Sequence, residues 1–230
     1  MPLVPRGTSA GLAGTAVCER LVFMTPFDNM RGSDAMGGKP QPFAGESTAA
    51  PHVHARNARL FLALWPDAGA RDALVDYVSS CPWPETARLV SPEKFHLTLH
   101  FIGLFPEDRI EELVRTMPGG FEPFELCLNR MEVLRRGTVA LVPDPVPREL
   151  LRLHRLAARC LAGVGVPSSS GEFCPHLTLA RRARGMHPVR SAAALQRVRW
   201  NVRSYDLVES VAGGHAYRVI SHHEAAKGGG

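Results

Sequence analysis

The residues that could do chemistry fall in two short stretches, Phe95-His96-Leu97-Thr98-Leu99-His100-Phe101 and Pro175-His176-Leu177-Thr178-Leu179-Ala180-Arg181. Both contain His-Leu-Thr-Leu, and the two leading histidines are 80 positions apart. In a strand, side chains alternate between faces. His96 and Thr98 then share one face, and Leu97 and Leu99 share the other. His176, Thr178, Leu177 and Leu179 repeat the pattern. Each strand gains an apolar face for a core and a His/Thr face that a core does not need. Two such faces lining one cleft would offer two imidazoles for acid/base work and two hydroxyls for an oxyanion. On simple alternation His100 joins the face of His96 and Thr98, with no counterpart in the second stretch, where Ala180 stands.

The elements that must hold these strands are legible around them. Leu60 to Trp65 reads as a buried strand, and Asp67 as the N-cap of a helix with Ala70, Leu74, Tyr77 and Val78 on its buried side. Gly103 is expected to close the first histidine strand. A second helix is expected from Pro106, and strands over Phe124–Leu128, Val133–Leu134 and Val139–Val142, the last two joined by a hairpin at Arg136-Gly137. Pro147 to about Gly163 reads as a third helix, with Leu150, Leu151, Leu153, Leu156, Ala157, Cys160 and Leu161 inward and His154 at its boundary. Arg182 to Arg197 reads as a loop with a short helix. Strands over Tyr205–Val211 and Ala216–Ile220 follow, and a polar end from Ser221. With one histidine strand in each half, the order implies an α+β fold. It would have two pseudo-symmetric lobes, each an antiparallel sheet with helices outside, facing across a central groove.

The chain has 230 residues and a formal charge of +5, with a pI near 9.2. That length suits one bilobal domain, expected over residues 58–221. Residues 1–57 are rich in Gly, Pro, Ala and Ser without sustained periodicity and read as a disordered extension. Residues 222–230 read as a flexible tail. The mild basicity favours anionic ligands without demonstrating nucleic-acid binding. The five cysteines are scattered and form no CxxC. They argue against a disulfide framework or a structural zinc site and suit a reducing cytoplasm. No apolar run reaches the roughly 18 residues of a membrane span.

At these motifs the chain resembles the two-histidine phosphoesterases, and within them the bacterial RNA 2',3'-cyclic phosphodiesterase, or 2'-5' RNA ligase-like, family. The resemblance runs from about Arg59 to Ile220. It includes Arg59-Leu60-Phe61-Leu62-Ala63-Leu64-Trp65-Pro66 as well as the two histidine stretches. It implies a duplicated two-histidine fold. The implied reaction is metal-independent opening of RNA 2',3'-cyclic phosphate ends to 2'-phosphomonoesters, with 2'-5' ligation as its reverse. His96 would be the proton donor and His176 the proton acceptor, with Thr98, Thr178 and Arg181 binding substrate. No cofactor and no metal is implied. The implied partner is RNA with cyclic phosphate ends, tRNA-like fragments among the candidates, and a monomer is expected because one chain completes the groove. Gly213-Gly214-His215-Ala216-Tyr217 matches the family's closing turn loosely, and no functional residue is assigned there. Two other readings are open on sequence: a non-catalytic RNA-end binding module, and a phosphodiesterase for small cyclic nucleotides or 2'-5' oligonucleotides.

Overall fold

The computed structural model describes residues 56–167, 172–187 and 198–227. The leader reading falls on residues 1–55, and much of the loop reading on 188–197, both outside the described residues. The elements in chain order are β1 (Asn57–Leu64), α1 (Ala68–Ser80), β2 (Arg88–Leu89), β3 (Leu97–Pro106), α2 (Ile110–Thr116), β4 (Phe124–Cys127), β5 (Arg130–Leu134), β6 (Thr138–Val142), α3 (Arg148–Gly163), β7 (Leu177–Arg181), β8 (Arg199–Val202), β9 (Ser204–Val211) and β10 (Ala216–Glu224).

The architecture is α+β and antiparallel. The main sheet runs β10-β9-β1-β3-β7-β6-β5, with β2 on the edge of β7, and β4-β8 form a separate ribbon. Its halves are the two lobes. They join where Leu97 of β3 faces Leu177 of β7, the one ladder pair these strands share among the described residues. Beyond it β3 turns away, and β2 takes over the edge of β7 at Ala180 and Arg181.

Leu60, Leu62, Leu64, Leu97, Leu99, Leu141, Leu177 and Leu179 enter the core with Leu74 and Tyr77 of α1 and Leu150, Leu153, Ala157 and Leu161 of α3. Burying one such aliphatic side chain contributes about 1.5–3 kcal/mol. Asp67 caps α1 as expected, its Oδ1 accepting from the Ala70 amide at 2.8 Å. Phe61, Ala63 and Val208 form a second buried cluster, joined by Trp65 and Tyr217. This is the opposite face of the first lobe, which also carries the motif residues and is called here the histidine face.

Three elements differ from expectation. β3 does not stop at Gly103 but continues to Pro106. The glycine (φ +84°) sits beside an irregularity in the β1–β3 ladder, a conformation it adopts without a Cβ clash. The strand β8 lies between the expected loop and the expected Tyr205 strand, where no element is assigned; its alternation, with Trp200 and Val202 buried, was the available signal. The polar end does not fray at Ser221. β10 runs through Glu224, and the Ala225 and Ala226 amides donate to the carbonyls of Arg203 and Phe121.

Candidate active site

His96 and His176 each precede the strand that bears their motif, and each is anchored the same way. The Nδ1–H of His96 donates to the Lys94 carbonyl at 2.7 Å, and that of His176 to the Cys174 carbonyl at 2.9 Å. A carbonyl only accepts, so both rings carry their proton on Nδ1 and a lone pair on Nε2. Both bonds reach back two residues, so sequence-local geometry fixes tautomer and ring orientation. Thr98 lies opposite Ala63 and Thr178 opposite Ala140. Because Leu97 and Leu177 pair antiparallel, His96 lies towards Thr178 and His176 towards Thr98. In register the motifs run crossed, each histidine on the side of the pair where the other strand carries its threonine.

The expected place of His100 is corrected by a β-bulge. Thr98 pairs with Ala63 but His100 pairs with Leu62, so Leu99 is an extra residue that reverses the alternation. His100 is therefore turned to the core side and is buried. Its Nε2–H donates to the His154 carbonyl at 2.9 Å, and its ring stacks on that of His154 at 4.0 Å. His154, half-buried at the helix boundary as expected, stacks in turn on Phe173.

The second strand repeats the bulge. Ala140 pairs with Thr178 and Val139 with Ala180, leaving Leu179 extra. Ala180 goes to the core and Arg181 returns to the histidine face. There its charge acts on both His96 and His176 and on Tyr217. No described carboxylate forms an ion pair with it.

Tyr217 is the site residue that sequence reasoning left out. Its ring meets His96 edge-on at 5.4 Å and lies 5.2 Å from Phe61. Phe61 and Trp65 stand 5.1 and 5.4 Å from the His96 ring. The Lys94 ammonium reaches the Gly214 carbonyl and lies over the Tyr217 ring, tying the β9–β10 turn to the start of β3. The loosely matching closing turn, which ends in Tyr217, was the signal.

Burial among these rings dominates the electrostatics. Desolvation lowers the His96 pKa to about 4, with the charges of His176 and Arg181 adding to the effect against the Lys94 carbonyl. His176 is lowered too, first by desolvation and then by Arg181, while the Cys174 carbonyl and Glu132 oppose it. Burial raises the Tyr217 hydroxyl, partly offset by Arg181. Both imidazoles are thus neutral near pH 7 in the free protein. Among the described residues, no three His, Cys, Asp or Glu side chains converge as a metal-ligand set, and no helix is long and apolar enough to cross a membrane.

Solved structures share this fold. Escherichia coli LigT complexed with 3'-AMP superposes with a TM-score of 0.63 at 24% identity, covering 75% of this chain and 100% of that one. TT0787 of Thermus thermophilus matches with a TM-score of 0.63 at 23% identity, covering 74% and 100%. The fold is therefore that of the LigT-type two-histidine phosphoesterases. Residues 85–214 match the 2'-5' RNA ligase superfamily. The chain is also 30% identical over 128 residues to the RNA 2',3'-cyclic phosphodiesterase of Escherichia coli K12, covering 54% of this chain and 72% of that protein. This chain belongs to the 2'-5' RNA ligase superfamily.

Proposed function

We propose that the protein opens RNA 2',3'-cyclic phosphate ends to 2'-phosphomonoesters by metal-independent acid/base catalysis with two histidines. The observation that carries the reading is the matched anchoring of His96 and His176 on either side of the Leu97–Leu177 pair. The named activity of the Escherichia coli relative supports the substrate class.

In this reading the phosphate lies against the histidine face with its non-bridging oxygens towards Thr98, Thr178 and Arg181. Hydroxyls and a guanidinium are the donors such oxygens need. In-line displacement needs entering and leaving oxygens on opposite sides of phosphorus. His176 Nε2 takes a proton from water as the new P–O bond forms. His96 gives a proton to the 3' oxygen as its bond to phosphorus breaks. With an RNA 5'-hydroxyl in place of water, His176 takes the hydroxyl proton as the new P–O bond forms, His96 protonates the departing 3' oxygen, and the product is a 2'-5' bond. The anionic substrate helps load the proton that His96 must give: a negative charge in the groove opposes the desolvation that keeps this imidazole neutral. One chain supplies both motifs, and the catalytic unit is the monomer.

The test is incubation with an oligoribonucleotide ending in a 2',3'-cyclic phosphate, in excess EDTA, with 2'- and 3'-phosphate products resolved. A 2'-phosphate product is expected. Product formed only when EDTA is omitted would overturn the metal-independent mechanism, and turnover confined to small cyclic nucleotides would overturn the RNA assignment.

A further inference from the structure

The two motifs match in sequence and anchoring, but the strands beside them do not supply equal charge. Along the second lobe, Thr178 pairs with Ala140 and Ala140 pairs with Glu132. Cross-strand partners share a face, so Glu132 stands on the histidine face two strands from Thr178, roughly 9.5 Å between backbones. Ala140 puts only a methyl group between them. The Glu132 side chain is 19% exposed and pairs with Arg130 at 2.9 Å. Arg130 also faces Asp144 at 3.2 Å. Two carboxylates share one guanidinium, and the cluster keeps one net negative charge beside the second motif.

The first lobe has the same row with a different outcome. Thr98 pairs with Ala63, and Ala63 with Asp206. Here the carboxylate is one methylene shorter. His222 holds it through Nδ1 at 2.6 Å. His96 instead has the rings of Phe61, Trp65 and Tyr217 around it, and the charges acting on it, those of His176 and Arg181, both oppose its protonation.

We infer that Glu132 is a positioning residue that breaks the symmetry of the two motifs by favouring positive charge on His176 over His96. A developing imidazolium is stabilised at His176, which suits the group that takes the proton from water. A proton on His96 meets no such stabilisation and leaves readily, which suits the group that gives one up. The inference rests on the acid/base reading above and explains how near-identical motifs could take opposite roles. Among the described residues, the charged and titratable groups acting around His176 include Glu132 on β5 with its partner Arg130, Arg181 on β7, His96 before β3, and Tyr217 on β10, which interacts with Arg181. Of the charges acting on His176, Glu132 favours its protonation and Arg181 opposes it.

The experiment is Glu132→Gln, which removes the charge and keeps the shape, read by NMR titration of the two imidazoles in the free protein. The His176 midpoint should fall by about 0.5–1 pH unit while that of His96 stays in place. In Glu132→Asp, which keeps charge on a shorter arm, the fall should be smaller. The maximum of kcat/KM for cyclic phosphate opening, which lies midway between the two midpoints, should move down with that of His176. Equal movement of both midpoints, or of neither, would overturn the inference. The titration needs no substrate, so a protein that opens no cyclic phosphate would overturn the functional reading separately, while the charge asymmetry would still stand or fall on the NMR result.

Discussion

Leu99 and Leu179 occupy the same place in two strands. Each is the extra residue of a β-bulge directly after the motif threonine. A bulge leaves a backbone group without its ladder partner, and both carbonyls are satisfied from outside the pair that is disrupted. Leu99 O accepts from His154 Nδ1 at 2.9 Å, and Leu179 O from the Val90 amide at 2.8 Å. The bulge sends the residue after each leucine to the core and the next one to the histidine face. Arg181 is therefore in the site and His100 is not.

The position of Arg181 gives the first prediction. A half-buried guanidinium that pairs with no carboxylate among the described residues is suited to an anionic substrate. Arg181→Ala should lower kcat/KM by about 10²-fold, as for loss of a preorganised donor to developing charge. It should also raise the titration midpoints of His96 and His176, both of which Arg181 depresses. Steady-state kinetics and imidazole NMR check the two effects. Unchanged midpoints would place Arg181 outside the site.

The second prediction concerns pH and activity. The free-protein groups govern kcat/KM. On the proposed roles, His96 must be protonated to act as the acid, yet burial holds it to about 4. His176 must be neutral, and it too lies below its ordinary 6.5. The maximum of kcat/KM should therefore fall on the acid side of 6.5. Bound substrate charge raises both groups, and the maximum of kcat should lie at higher pH. Coincident maxima, or a kcat/KM maximum well above 7, would contradict the electrostatic account.

Acid stability follows from the imidazoles behind the site. The His154 pKa is lowered to about 4 and that of His100 is lowered as well, in both cases first by desolvation. A folded-state pKa below the unfolded value of 6.5 means that the unfolded chain binds protons more tightly. The stability these groups contribute is fully present above 6.5 and is lost as pH falls towards 4. Tm should fall across that window. His100→Phe, which keeps a ring against His154, should make the fall shallower. An unchanged slope in a calorimetric series would refute the assignment.

The β5–β6 hairpin supplies a stability prediction. Gly137 has φ +72°, and its carbonyl accepts from the Ala183 amide at 2.8 Å. A Cβ there would stand 2.9 Å from the Arg184 amide nitrogen and 3.2 Å from the Ala183 carbonyl carbon. Both are backbone atoms and neither yields as a flexible side chain does. Gly137→Ala should destabilise the fold by about 1–3 kcal/mol, the range for forced positive φ, as read by denaturant unfolding. A variant as stable as the parent would show that the turn can shift.

Alternation explains what was legible in the sequence and what was not. His96, Thr98, His176 and Thr178 precede the bulges, where period-two reasoning holds, and their face was read directly. His100 follows a bulge, so the same reasoning put it on the wrong face; a bulge carries no sequence mark unless a glycine accompanies it. Arg181 was assigned through the family resemblance, although plain alternation would have turned it to the core. Tyr217 reaches the site because the β9–β10 turn folds against Lys94, a long-range contact that no local pattern encodes. Glu132 stands in a strand whose register to the motif is set by Ala140, and three-strand registers cannot be counted along one chain.

The measurement closest to the central claim is turnover of a 2',3'-cyclic-phosphate-ended oligoribonucleotide by His96→Ala and His176→Ala in EDTA, with folding of each variant verified by circular dichroism. The two-histidine account predicts a 2'-phosphate product from the parent protein and a loss of at least about 10²-fold in each variant, the lower range for a positioned acid or base. Parental turnover in either folded variant would contradict it.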